Sequence, residues 1–127
     1  MGRSFRLESV SPVDYSRPFL GKLVDVEVDR PLGTKHPKHD HIYPINYGFV
    51  PHTKAPDGAE LDVYILGESE PLKTFKGRCI AIIHRTDDDD DKLIVCTDGK
   101  SFTDKEIREA THFQEQWFKS KIVRQKK

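Results

Sequence analysis

Between residues 22 and 96 the apolar side chains fall into short β-branched or aromatic runs, each separated from the next by turn residues. The clearest run is 22–29 (KLVDVEVD), in which Val24, Val26 and Val28 alternate with Asp25, Glu27 and Asp29. Alternation at a period of two gives a strand with one buried and one wet face. Arg30, Pro31, Leu32 and Gly33 break it. Residues 42–50 read as a second strand, where Gly48 allows a bulge or a close backbone approach. Pro56-Asp57-Gly58 is a turn, and 61–66, 78–84 and 93–96 are three further strands. Short strands at this spacing favour a closed or partly open barrel over a βαβ fold.

One helix is expected near the C-terminus. Thr103 and Glu106 have the spacing of a capping box, and Ile107, Ala110, Phe113 and Trp117 follow at helical spacing. That face is expected to dock on the barrel, and the tail 124–127 to fray. The chain of 127 residues is read as one domain, 1–127, with no internal repeat or linker.

Charge narrows the function. The 21 basic and 21 acidic side chains balance, which argues against a strongly basic nucleic-acid binder. No apolar run approaches the ~20 residues of a membrane span. The first residues lack the apolar stretch of a secretory signal, so a cytoplasmic location is expected. Cys79 and Cys96 sit in strand-like text without CxxC spacing and are read as buried reduced thiols. Neutrality hides local bias, however. Residues 54–91 carry ten acidic and five basic side chains, and residues 108–127 carry six basic and two acidic. An acidic zone facing a cationic zone suits a metal-bridged anion.

Three stretches carry candidate chemistry. In 57–62 (DGAELD) a turn can bring Asp57 and Asp62 together as hard oxygen ligands, or simply leave a solvated acidic turn. The run 87–92 (DDDDDK) is flanked by strand text and reads as a hairpin connection, either a solvated loop or a cation site. In 43–53 (YPINYGFVPHT), Tyr43 and Tyr47 would point the same way in a strand, so that both hydroxyls face a cleft or both rings pack in a core. His36, His39 and His41 have no cysteine partner and stand beside lysines, which suits a phosphate-facing or solvated loop better than a metal site.

Together these stretches resemble the soluble (family I) inorganic pyrophosphatases, with order and spacing agreeing over some 70 residues from Val24 to Val95. The resemblance implies a mainly β (α+β) fold, a five-stranded OB-like closed barrel with one C-terminal helix. It implies Mg²⁺- or Mn²⁺-dependent hydrolysis of pyrophosphate to two phosphates, with pyrophosphate and phosphate as the partners. No nucleic acid or membrane is implied, and a homo-oligomer is left open. Metal ligands carry over to Asp57, Asp62, Asp87 and Asp90. Catalytic roles fall to Asp57, Asp62, Tyr47 and Glu60, and substrate contacts to Lys35, Tyr47, Lys92 and Glu27. The family's water-activating aspartate is replaced by Ala59; Glu60 is adjacent but on a strand points to the other face, unless an irregular turn swings its carboxylate into the same place. That departure supports an alternative, a catalytically weakened protein that binds metal and phosphate, or another phosphoanhydride, on the same fold.

Overall fold

The computed structural model describes residues 15–38, 40–55, 58–87 and 90–125. Six strands form a sheet ordered β1 (Leu23–Arg30), β2 (Asn46–Val50), β3 (Leu61–Ile65), β5 (Asp91–Cys96), β4 (Thr74–Arg85) and β6 (Ser120–Val123). Because β1 also pairs with β4, the first five strands close into a barrel and β6 extends its wall. All neighbours run antiparallel except β3 and β5, which are parallel. Among the described residues no helix is long and apolar enough to cross a membrane.

The alternating valines act as their spacing requires. Val24 and Val26 fill the barrel with Val63, Ile65, Ile82 and Val95, while Asp25, Glu27 and Asp29 stay on the wet face. A second apolar layer lies outside the wall. Tyr64, Ile83 and Ile94 pack there against Ile107 of the helix α1 (Asp104–Glu115), with Ala110 and Phe113 alongside. The β5 strand is therefore buried on both faces. Cys79 and Cys96 are buried free thiols, and burial pushes Cys79 up to about 12.

The capping box forms as the spacing predicts. The Thr103 hydroxyl accepts from the Glu106 amide at 3.1 Å, and the Glu106 carboxylate accepts from the Thr103 amide at 2.8 Å. Trp117 departs from expectation: α1 stops at Glu115, so the helical phase is lost and the indole is 62% exposed. Arg124 also departs, because its guanidinium is held by Asp104 and by the Phe102 carbonyl. The β2 strand starts at Asn46 rather than Ile42, since residues 33–43 form their own loop, pinned by Gly33 N to Tyr43 O and Tyr43 N to Thr34 O. Buried Asn46 ties two loops together, accepting from Leu32 N and Leu72 N and donating to Glu70 O.

One irregularity positions the site. Val28 pairs with Gly48 and Arg30 with Tyr47, leaving Asp29 as the extra residue of a β-bulge. A bulge re-aims the side chains beside it. Gly48 sits where a Cβ would lie 2.0 Å from the Glu27 carbonyl oxygen, so only glycine lets the two strands meet. Gly48→Ala is expected to destabilise the fold by about 1–3 kcal/mol in urea unfolding. An unchanged midpoint would mean that the strands do not approach this closely.

Candidate active site

The paired strands bring distant residues to one place on the barrel's outer face. Asp62 of β3 is in register with Lys92 of β5 and with Phe49 of β2, and Tyr64 is in register with Tyr47. Side chains two apart share a face, so Tyr47, Asp62, Tyr64 and Lys92 all project outward beside the end of α1. The loop 31–43, the bulge at Asp29 and the segment after α1 rise around them. They enclose a cavity of about 750 Å³.

At its floor lies a buried ammonium. Lys92 donates to Asp62 Oδ2 at 2.5 Å, to Tyr47 Oη at 2.9 Å and pairs with Asp90 Oδ2 at 3.0 Å, so all the hydrogens of its Nζ have partners. Burial pulls the lysine down, but Asp62 and Asp90 outweigh it and hold the group above its ordinary value. The ammonium is thus charged at neutral pH. The Tyr47 phenol is held well above its ordinary value by burial and by the Asp62 charge, so it remains a neutral hydroxyl.

Beside this cluster runs a second one. Arg85 donates from Nε to Glu115 Oε1 at 3.0 Å and from Nη2 to Glu115 Oε2 at 2.7 Å, and lies 3.5 Å from Asp90 Oδ2. Its guanidinium also covers the Phe118 ring at 3.7 Å. The Tyr64 hydroxyl donates to Glu115 at 2.6 Å and accepts from the Gln114 amide, whose oxygen accepts from Tyr43. A continuous polar chain therefore links Tyr43, the end of α1, Arg85, Asp90, Lys92 and Asp62. Asp29 and Arg30 also line the cavity. Burial raises Asp29, Arg30 opposes that, and the nearby charges of Asp62 and Glu60 raise it further.

The other residues singled out in the sequence are dispersed. Lys35 is 69% exposed and pairs with Asp40 at 3.4 Å, outside the cavity. Glu27 lines a separate groove with Asp25 and Thr74. Asp87 accepts the Lys119 amide at 3.1 Å. Glu60 is exposed just before β3, near enough for its charge to reach Asp29. Asp57 and His39 lie outside the described residues. His36 and His41 lie in an aromatic cluster, and among the described residues no three His, Cys, Asp or Glu side chains could share one metal ion. Sequence reasoning missed Asp29, Arg30, Arg85, Gln114 and Glu115. A signal for Glu115 existed, because Ile107, Thr111 and Glu115 recur every fourth residue on the buried face of α1. A carboxylate on that face demands a cationic partner.

A family model described as inorganic pyrophosphatase matches residues 22–124. The chain belongs to the inorganic pyrophosphatase family. It is 35% identical over 81 residues to the inorganic pyrophosphatase of Saccharolobus solfataricus, covering 62% of this chain and 44% of that protein. It is 38% identical over 75 residues to that of Pseudomonas aeruginosa, covering 55% and 43% respectively. The matches thus span less than half the length of these relatives. The inorganic pyrophosphatase structure from Ehrlichia chaffeensis superposes with a TM-score of 0.63 at 19% identity, over 80% of this chain and 85% of that one. That from Helicobacter pylori gives 0.62 at 18% identity, over 81% and 85%. At such identities the likeness is one of fold. The expected closed five-stranded barrel with a C-terminal helix is the fold of this pyrophosphatase-family chain, with β6 as an unforeseen addition.

Proposed function

We propose that this chain hydrolyses inorganic pyrophosphate to two phosphates with a divalent cation, Mg²⁺ or Mn²⁺. The observation that carries this reading is the charged Lys92 ammonium, held among Asp62, Asp90 and Tyr47 at the floor of a cavity that Arg30 also lines. Pyrophosphate is densely anionic, and fixed cations and hydroxyl donors in a partly dry cleft are what stabilise it as charge moves to the leaving phosphate. A phosphate oxygen arriving beside Tyr47 takes over one of the Lys92 hydrogens, and Arg30 meets the other phosphoryl group. Tyr47, a neutral donor, holds the oxygen in place.

The residues fit a hard cation. Asp62 and Asp90 converge on one nitrogen, and Asp29, raised chiefly by burial, also feels the charges of Asp62 and Glu60. Mg²⁺ takes hard carboxylate oxygens and completes its shell with waters and substrate phosphates. Asp62 and Asp90 would hold it, with Asp57 and Asp87 as the further proposed ligands. When bound, such a cation neutralises phosphate charge and acidifies a water. Glu60 is the proposed base, and Lys35 and Glu27 the outer substrate contacts.

Phosphate release from pyrophosphate is expected with Mg²⁺ and lost on chelation. Lys92→Met is expected to lower kcat/KM by about 10²–10³-fold while the protein stays folded by circular dichroism. Loss of folding with full activity in the remaining folded fraction would make Lys92 structural only. The second reading, a protein that binds metal and phosphate without fast turnover, is favoured by Ala59 at the position of the family's water-activating aspartate. Calorimetric Mg²⁺ binding without phosphate release selects it.

A further inference from the structure

An aromatic group shares the cavity with the ionic cluster. His41 lies at its centre, with ring centroids 4.9 Å from His36, 5.7 Å from Tyr43, 5.7 Å from Phe113 and 6.1 Å from Trp117. Trp117 and His41 are within 29° of parallel, and His36 and Tyr43 within 6°. Trp117 lines the cavity yet leaves 62% of its surface in solvent, at a point where the chain has already left the helical phase. An exposed large aromatic face on a cavity wall is costly to leave wet and effective as a stacking platform. The volume of about 750 Å³ falls within the ~300–1,000 Å³ range of sites for organic ligands, whereas pyrophosphate is small and wholly polar.

We propose that the cavity accepts nucleoside diphosphates, with the diphosphate at the Lys92 and Arg30 end and the base stacked on Trp117 at the rim. The proposal deepens the phosphoanhydride reading above and rests on it. Lys92 and Tyr47 read the diphosphate, and a ribose spans the step between floor and rim. Trp117 supplies the preference for a base. Stacking of one base on an aromatic side chain corresponds to about tenfold in affinity.

Trp117 is the single tryptophan of the chain, so its emission reports on the rim directly. Wild-type protein is titrated in Mg²⁺ with ADP, methyl diphosphate and pyrophosphate, with affinity read by calorimetry and the rim by fluorescence. ADP is expected to bind about tenfold tighter than methyl diphosphate and to quench the emission. In Trp117→Ala the ratio between the two ligands is expected to fall to about one, and in Trp117→Phe to recover most of its value. Equal binding of ADP and methyl diphosphate, or a ratio that Trp117→Ala leaves intact, overturns the proposal while the pyrophosphate reading stands. Emission that follows protein concentration but not ADP overturns it too, and marks the rim as a self-association surface. If none of the three diphosphates binds, the phosphoanhydride reading falls and takes the proposal with it.

Discussion

Glu115→Ala is expected to lower the stability of the fold by about 3–5 kcal/mol, the range for removing one partner of a buried ion pair. Both carboxylate oxygens of Glu115 accept from Arg85, at 3.0 and 2.7 Å, and both residues are buried. The attraction raises Arg85 although burial itself opposes the charge, so the guanidinium cannot escape by losing its proton. The Tyr64 hydroxyl loses its acceptor in the same step. Glu115→Gln keeps a hydrogen-bonding oxygen without the charge and is expected to fall between wild type and alanine. The pair Arg85→Met with Glu115→Leu removes both charges together and is expected to regain most of the loss, as buried ion pairs replaced by apolar groups commonly do. Urea unfolding measures all three. A loss below about 1 kcal/mol for Glu115→Ala would show that the pair is solvated and that α1 is held by Ile107 and its apolar neighbours alone.

Ala59→Asp is expected to raise Mg²⁺-dependent phosphate release from pyrophosphate by about 10²–10⁴-fold, the usual contribution of a positioned general base. Residue 59 follows Gly58, whose φ of +90° turns the chain, and its carbonyl accepts from Ala55 N at 2.7 Å before β3 begins. The substitution therefore leaves the turn-forming glycine untouched. A carboxylate at residue 59 is the candidate base for the attacking water. Glu60 is the competitor for that task. If Glu60 already serves as base, Glu60→Gln loses most of the activity and Ala59→Asp adds little. A fast wild type, a harmless Glu60→Gln and an Ala59→Asp without gain would together remove the water-activating role from this turn.

Local signals in the sequence were the ones that survived folding. The valine alternation and the Thr103–Glu106 box each depend on neighbours within a few residues, and each appears where its pattern predicts. What pattern reading missed depends on register. Asp29 and Arg30 reach the cavity only because the bulge adds a residue opposite Gly48 and Tyr47. Arg85 finds Glu115 across 30 residues, a pairing that neither residue announces alone. The β6 strand, Ser120–Val123, is too short to show a period and exists because the edge of β4 is open to it. Lys35, whose spacing from Tyr43 follows the family, pairs with Asp40 in solvent.

The parallel pairing of β3 with β5 has a consequence for how the molecule comes together. Lys92 meets Asp62 across 30 residues and Tyr47 across 45, and Tyr43 meets Gln114 across 71. Each of these closures gives up chain entropy before it gains anything, so such contacts arise late in folding. A half-formed barrel with β5 still unpaired has no ammonium between carboxylates. Any anion that recognises the cleft consequently recognises only the finished molecule, and mass action transfers its binding energy to the global unfolding equilibrium. Amide protons of β2, β3, β5 and the end of α1 then slow together when such a ligand is added, as one cooperative unit rather than as a protected patch.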